Sequence, residues 1–219
     1  DPPGAFGQHI NAVISSQISD TNTLIESILS LQPRESSTGT ESMEEVVEKI
    51  VNDLKDKVPE VLNLEEIEER NKHIPDDDPY KIVMKQEIAR YNKLLVTLEA
   101  SLKNLLDGIK GRILISEDLE KIMESLYESK VPRAWKFAYP SLKPLNSWIV
   151  DLNARVKEFK DWAFKGTPMV FWISSFTYPK GFLTAILQQT ARKLPKVSID
   201  MLGLDFYFLN VDNTTKAAP

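Results

Sequence analysis

Cysteine is absent from this 219-residue chain. Disulfides and thiolate metal sites are thereby excluded, and the composition suits a reducing compartment. Histidine is almost absent: His9 and His73 are the only two. A metal site needs clustered ligands, so each is expected as a surface or loop hydrogen-bonder. Glycine is scarce at eight residues. None falls in a Gly-x-x-x-x-Gly-Lys-Ser/Thr or Gly-x-Gly-x-x-Gly pattern, the loops whose backbone cradles phosphates. Neither nucleotide binding by this chain alone nor any other cofactor is expected. No apolar run approaches the ~18 residues that span a bilayer. The opening Asp-Pro-Pro-Gly has neither the charged start nor the apolar stretch of a signal peptide. The expectation is an intracellular, soluble chain with no membrane partner.

Catalytic constellations are also missing. Ser174 and Ser175 sit in an apolar run without the Gly-x-Ser-x-Gly elbow, and read as buried hydroxyls bonded to backbone. The acid pairs Glu65/Glu66 and Glu68/Glu69 have the look of a carboxylate dyad, but a solvated helix face explains them better. Asp76, Asp77 and Asp78 lack the glycine and spaced acids of a calcium loop, and read as a helix start.

What is present divides unevenly. Residues 41–78 hold fourteen acids against five bases, whereas residues 130–196 hold twelve bases against three acids. Twelve of the nineteen aromatics lie between Trp135 and Phe182. Two compositions in one chain predict two subdomains, 1–130 and 131–219. The length suffices to bury a core.

Hydrophobic spacing predicts a mainly α fold: a helical bundle, then a second helical bundle with a terminal β-strand. The chain is expected to be irregular to about residue 18. A short helix then carries Leu24, Ile25, Ile28 and Leu29 on one face, with Asp20 as N-cap. Residues 32–41 read as a surface loop. Ser42 and Glu45 have capping-box spacing, and Val46, Val47, Ile50, Val51, Leu54 and Val58 form the buried stripe that follows. A short helix over 61–71 comes next. Asp78-Pro79 starts the longest helix. In it Met84, Ile88, Tyr91, Leu95, Leu98, Leu102, Leu105 and Ile109 step alternately by four and three, a heptad seam. From Pro79 to Lys110 that helix would reach ~48 Å, and Gly111 can terminate it. The seam is expected to be one wall of an antiparallel bundle; self-association as a coiled coil is the sharper alternative.

Ser116 caps another helix, with Leu119, Ile122, Met123 and Leu126 inward. Residues 131–144 read as loop. A long helix from Pro144 carries Leu145, Trp148, Ile149, Leu152, Val156, Phe159 and Trp162, and stops at Gly166 and Pro168. Residues 170–176 fit either a strand or a helical turn. A last helix runs from Pro179 to about Lys193 and buries Phe182, Leu183, Ile186 and Leu187. Leu202, Leu204, Phe206 and Phe208 alternate as in a strand. A lone strand leaves its backbone groups unpaired, so its partners are either an earlier segment or, as we expect, residues beyond 219. Trp148, Phe159 and Trp162, beside Lys157 and Lys160, raise the question of base stacking. They share a stripe with Leu152 and Val156, however, and such a stripe predicts core. No nucleic-acid partner is expected. The predicted structural core is Trp135, Trp148, Leu152, Phe159, Trp162, Trp172 and Phe182.

One resemblance covers nearly the whole sequence. Val131-Pro132-x-x-Trp135, Ala138-Tyr139-Pro140-Ser141-Leu142-Lys143-Pro144-Leu145-x-x-Trp148, Asp151-Leu152-x-x-Arg155 and Gly166-x-Pro168-x-x-Phe171-Trp172-x-Ser174 stand together. Phe182-Leu183-Thr184, Ala191-Arg192-Lys193 and Ile199-Asp200-x-Leu202 follow. Upstream are Phe6-Gly7-x-His9-x-Asn11-Ala12, Gln86-Glu87-x-x-Arg90-Tyr91-Asn92 and Ile109-Lys110-Gly111. The ensemble resembles the C-terminal motor region of axonemal dynein heavy chains. The Tyr-Pro-Ser-Leu-Lys-Pro run points to ciliary rather than cytoplasmic dyneins. The resemblance implies that residues 1–130 close the sixth AAA+ module with its small helical subdomain, a module that binds no nucleotide. It implies that residues 131–219 are the helical part of the C-terminal domain, ending where a β-barrel begins in longer dyneins. It further implies a non-catalytic part that braces the AAA+ ring of a microtubule-dependent ATPase, in the cytoplasm, cytoskeleton and ciliary axoneme. The partners implied are other AAA+ modules of the same heavy chain, with dynein subunits and microtubules reached only through the parent motor. A free-standing helical adaptor that recruits partners through the heptad seam is the alternative.

Overall fold

The computed structural model describes residues 10–30, 42–139, 141–194 and 196–205. Among them are seven α-helices: α1 (Ile10–Ser30), α2 (Met43–Lys57), α3 (Leu64–Arg70), α4 (Pro79–Ile109), α5 (Glu117–Tyr127), α6 (Leu145–Lys165) and α7 (Pro179–Lys193). Short 3-10 turns occupy Arg133–Trp135, Ile173–Ser175 and Ile199–Met201. None of these helices is long and apolar enough to cross a membrane.

Local chemistry sets the helix boundaries. Ser42 Oγ accepts from the Glu45 N–H at 3.2 Å while Glu45 Oε2 accepts from the Ser42 N–H at 3.1 Å, a complete capping box. Asn63 caps α3 by accepting from the N–H groups of Glu65 and Glu66. Asp78 Oδ1 accepts from the Lys81 N–H at 2.9 Å, with Pro79 at the first helical position. At the far end of α4, the Gly111 N–H donates to Gly108 O and the Arg112 N–H to Asp107 O. That is a Schellman closure, made possible by φ +68° at Gly111. The same closure ends α5, but there the left-handed position is Ser129, at φ +56°.

α4 is the centre of the molecule. Its 31 residues span ~46 Å, and it packs against α2, α5, α6 and α7. The seam residues Ile88, Tyr91, Leu95, Leu98, Leu102 and Leu105 are all buried within the bundle, and Leu94 beside them is buried too. A helix enclosed on several sides must be apolar over more than one stripe. One contiguous set of buried side chains runs from Val47 to Ala185, without a break at residue 130.

Several expectations need correction. α1 begins at Ile10 and passes through Asp20, which is therefore not a cap. The apolar spacing Ile14–Ile18 carries the helix upstream of the polar stretch, and Thr21 bonds back to Gln17 O inside it. Of the run 170–176, which fits strand and turn equally by pattern, Ile173–Ser175 form a 3-10 turn and the other residues are irregular. In α7 the buried residues are Phe182 and Ala185, while Leu183, Ile186 and Leu187 are half-buried. Residues 202–205 carry no strand, so that part of the predicted terminal β-strand is not formed; residues 206–208, like the loop expected over 32–41, lie outside the described residues. Trp172, predicted as core, is 38% exposed. It follows the Gly166-x-Pro168 stop, and its ring rests 5.0 Å from the Arg155 guanidinium.

Candidate functional site

Polar residues converge where α4 and α6 meet the segment 166–178. Glu87, on α4, is 1% exposed. Its carboxylate accepts the Thr177 N–H and hydroxyl at 2.7 Å each, the Tyr178 N–H at 3.1 Å, and Arg90 Nη1 at 2.7 Å. Tyr178 is the N-cap residue of α7 and brings no capping hydrogen bond of its own. A carboxylate from another helix thus accepts the N–H of the cap residue of α7 and of the residue before it, close to the positive end of that helix.

Arg155, on α6, lies one helical turn beyond Asp151. Its Nε donates to Asp151 Oδ2 at 2.7 Å, and Lys143 Nζ donates to Asp151 Oδ1 at 2.7 Å. Arg155 Nη1 donates to Ser174 O. The guanidinium lies 4.2 Å from the Tyr139 ring centroid and 5.0 Å from that of Trp172, close enough for cation–π attraction to both. Burial pushes the Asp151 carboxyl up, but the bonds from Lys143 and Arg155 outweigh it and hold the group below its usual range. Burial works to lower Arg155, and the Asp151 and Tyr91 contacts hold it above its usual value. Burial raises the phenols of Tyr91 and Tyr139. The Tyr91 hydroxyl donates to Ser175 O. The Tyr139 hydroxyl and Trp148 Nε1 have no hydrogen-bond partner among the described residues.

Around these groups runs an aromatic row. Trp135 stacks on Trp148 at 6.1 Å, Trp148 on Tyr139 at 5.9 Å, and Tyr139 meets Tyr91 at 6.2 Å. Phe159 lies 5.5 Å from Tyr91 and 6.1 Å from Trp162. Phe176 and Phe171 continue the row to Phe182 at 4.2 and 4.6 Å. Each such pair adds ~0.5–1.5 kcal/mol beyond area burial. Trp135 also donates from Nε1 to Ser101 Oγ at 3.3 Å, tying the row to α4. Leu152, on the same helix as Trp148 and Phe159, is buried too.

Further polar ties join residues before and after 130. Asn71 Nδ2 donates to Ile67 O and to Ala163 O, and Asn153 Nδ2 donates to Lys57 O. Asn92 holds the loop before α3 by two bonds: its Nδ2 donates to Leu62 O at 2.7 Å and its Oδ1 accepts the Leu62 N–H at 2.9 Å. Arg192 reaches Asp77 at 3.2 Å, with both side chains largely exposed.

The other residues singled out in the sequence are apart from this cluster. His73 is exposed against Arg70 O, and His9 lies outside the described residues. Asp76 pairs with Lys81, whose ammonium also meets Glu68 and Ile74 O. Glu66 pairs with Arg70 and Glu69 with Lys72 on the outer face of α3. Ser175 Oγ donates to Trp172 O, whereas Ser174 is exposed. Lys157 and Lys160 point outward while Trp148, Phe159 and Trp162 are buried, so these rings present no open face to a base. Glu87, Asp151, Arg155 and Asn92 stand in the resemblance motifs, but composition and spacing assign them no role. The signal for Glu87 is its place beside the seam, one residue before Ile88, with Arg90 three residues on.

No group of three or more His, Cys, Asp or Glu among the described residues is placed to hold a metal ion. The buried charges all have partners: Asp151 meets Arg155 and Lys143, Glu87 meets Arg90, Thr177 and Tyr178, and Lys81 meets Asp76 and Glu68. Such a cluster clamps helices together; it offers neither a nucleophile–base pair nor an apolar pocket with convergent polar groups. The class that the described residues define is a mainly helical module held together by buried aromatic and ionic contacts.

The family follows from comparison with known proteins. Residues 18–219 match the C-terminal domain of dynein heavy chains, and the protein belongs to that family. It is 48% identical, over its full length, to the Dynein-1-beta heavy chain of the flagellar inner arm I1 complex of Chlamydomonas reinhardtii. It is 43% identical over its full length to Dynein axonemal heavy chain 2 of Homo sapiens, and 44% identical over 96% of its length to Dynein axonemal heavy chain 1 of Rattus norvegicus. It spans about 5% of the length of each of these relatives.

Proposed function

We propose that the protein is a non-catalytic bracing element of a ciliary dynein heavy chain, a part of a microtubule-based, ATP-driven motor of the axoneme. In this reading residues 1–130 close the sixth AAA+ module with its small helical subdomain. Residues 131–219 form the helical part of the C-terminal domain. Other AAA+ modules of the same heavy chain are its direct partners, and dynein subunits and microtubules are reached through the parent motor.

The observation that carries the reading is the enclosure of α4. One helix packs on α2 and α5 from the first half and on α6 and α7 from the second, and buried Glu87, Tyr91 and Asn92 project from it to fix loops on both sides. A rigid element shared by two subdomains transmits displacement between them, because packed interiors resist compression. The full names of the axonemal relatives support the ciliary setting.

The test uses the parent motor. Glu87→Ala and Tyr91→Ala in the full heavy chain should lower the temperature at which the ring unfolds and weaken coupling between ATP turnover and microtubule gliding. The isolated 219-residue chain should turn over no ATP. Turnover by that chain, lost on a single substitution, refutes the bracing role. The adaptor alternative would need the seam to leave its own bundle; concentration-dependent dimers seen by light scattering are its signature.

A further inference from the structure

Two apolar surfaces of this protein are left uncovered, and they match. The first is an exposed apolar stripe on α1. Ile14, Ile18, Leu24 and Ile28 are all exposed on it. At 100° per residue these four share an arc of roughly 120°, the width of a core-facing stripe. The second is a groove of about 430 Å³ between the outer side of α4, the segment after it, and α5. Val96, Ala100, Ile113, Leu114, Leu119 and Ile122 line it, and Leu114 is 96% exposed. Polar residues, Thr97, Asn104 and Asp118 among them, share the lining, and an open groove with this much apolar surface suits an interaction site.

We propose that α1 folds back into this groove and lies along α4, completing the bundle. Three features select α1 over other occupants. The tether fits: residues 31–41 reach up to ~36 Å, and α1 itself is ~32 Å long. The tether also starts in the right place. Glu48 of α2 meets Lys110 at the end of α4, while Leu62, beyond α2, meets Asn92. α2 therefore runs antiparallel to α4, and Ser42 lies at the Lys110 end of α4, where Ile113 and Leu114 open the groove. The chemistry agrees as well. α1 contains no lysine or arginine and only Asp20 and Glu26 as acids, and the groove carries a single acid, Asp118. Apolar area is what the two surfaces have in common, so docking should be insensitive to salt.

The absence of cysteine makes the test direct. A nitroxide on Asp20→Cys, beside the apolar arc and not within it, should erase the amide signals of Ala100, Leu114 and Leu119 in the same molecule. Ile18→Asp or Leu114→Asp, both at exposed positions, should restore those signals and speed amide exchange over 113–122 by roughly tenfold, leaving the α4–α6 aromatic row unchanged. Intact signals in the labelled protein overturn the proposal. Signal loss that appears only when labelled molecules are mixed with separate isotope-enriched ones, and fades on dilution, also overturns it and assigns the groove to a second copy.

Discussion

Glu87 holds Thr177 by both of its donors, the backbone N–H and the side-chain hydroxyl, across ninety residues of sequence. The pair fixes where α7 starts relative to α4. Glu87→Gln replaces one acceptor oxygen by a donor and leaves a buried N–H without its partner. It should cost about 2 kcal/mol, whereas Thr177→Val, which loses one hydroxyl bond, should cost about 1 kcal/mol. Urea unfolding of the two single variants and the double variant measures the coupling. Additive losses would show that the two residues do not act together.

Tyr91 and Tyr139 offer a matched comparison, since both phenols are buried and their rings are neighbours. The Tyr91 hydroxyl reaches Ser175 O; the Tyr139 hydroxyl reaches nothing among the described residues. Tyr91→Phe should destabilise by about 1 kcal/mol, and Tyr139→Phe should be neutral or stabilising, because it removes a buried polar group without a partner. Thermal unfolding of both variants decides the matter, and equal losses would contradict the assignment.

Much of this arrangement is readable in the sequence, for reasons that differ from residue to residue. α4 is legible because Asp78-Pro79 marks its start, Gly111 its end, and the seam between them has helical spacing. Ser42 and Glu45 announce α2 in the same way. The start of α1 is not legible, because Asp20 has the chemistry of a cap and Ser15-Ser16-Gln17 the polarity of a loop; only the Ile14–Ile18 spacing argues otherwise. Trp172 is misplaced because hydropathy cannot show that a ring will rest on Arg155. The role of Glu87 is hidden because an acid on a helix normally signals solvent, and its partners at 177 and 178 are distant in sequence. Periodicity reports burial along one element; it does not report which polar groups meet between elements.

Acid should act on the clamp through two carboxyls of opposite sign. The Asp151 carboxyl is held below its usual value of 3.8. Its contribution is fully present above that value and is lost as pH falls through the lower folded-state value. Glu158, which accepts the Trp172 N–H, is raised above its usual value of 4.5 by burial. Its ionised form opposes folding, so that cost disappears as pH falls through its raised value and is gone below about 4.5. A stability profile should therefore rise or stay level toward about pH 4.5 and then fall below about pH 3.8. Glu158→Gln should remove the rise, and Asp151→Asn should lessen the fall, the rest of which belongs to Glu68 and Asp76, also held below their usual values by Lys85 and Lys81. Profiles of the two variants parallel to the parent would contradict this.

Ser129 closes α5 in a conformation that suits glycine. Ser129→Gly should stabilise the protein by about 0.5–1 kcal/mol by relieving backbone strain. The same change at Ser125, inside α5, should destabilise by a similar amount. Denaturant midpoints distinguish them, and a loss at Ser129 would show that its side chain matters more than its backbone.

The enclosure of α4 also dictates an order of events on the ribosome. The leucines of its seam leave the exit tunnel long before α6 and α7, which complete their cover, have been synthesised. At about 5–20 residues per second, the roughly eighty-four residues from Ile109 to Lys193 take about 4–17 s. During those seconds a sticky, half-wrapped rod is the natural client of a chaperone, and a pause or premature stop in this stretch would release a polypeptide prone to clump.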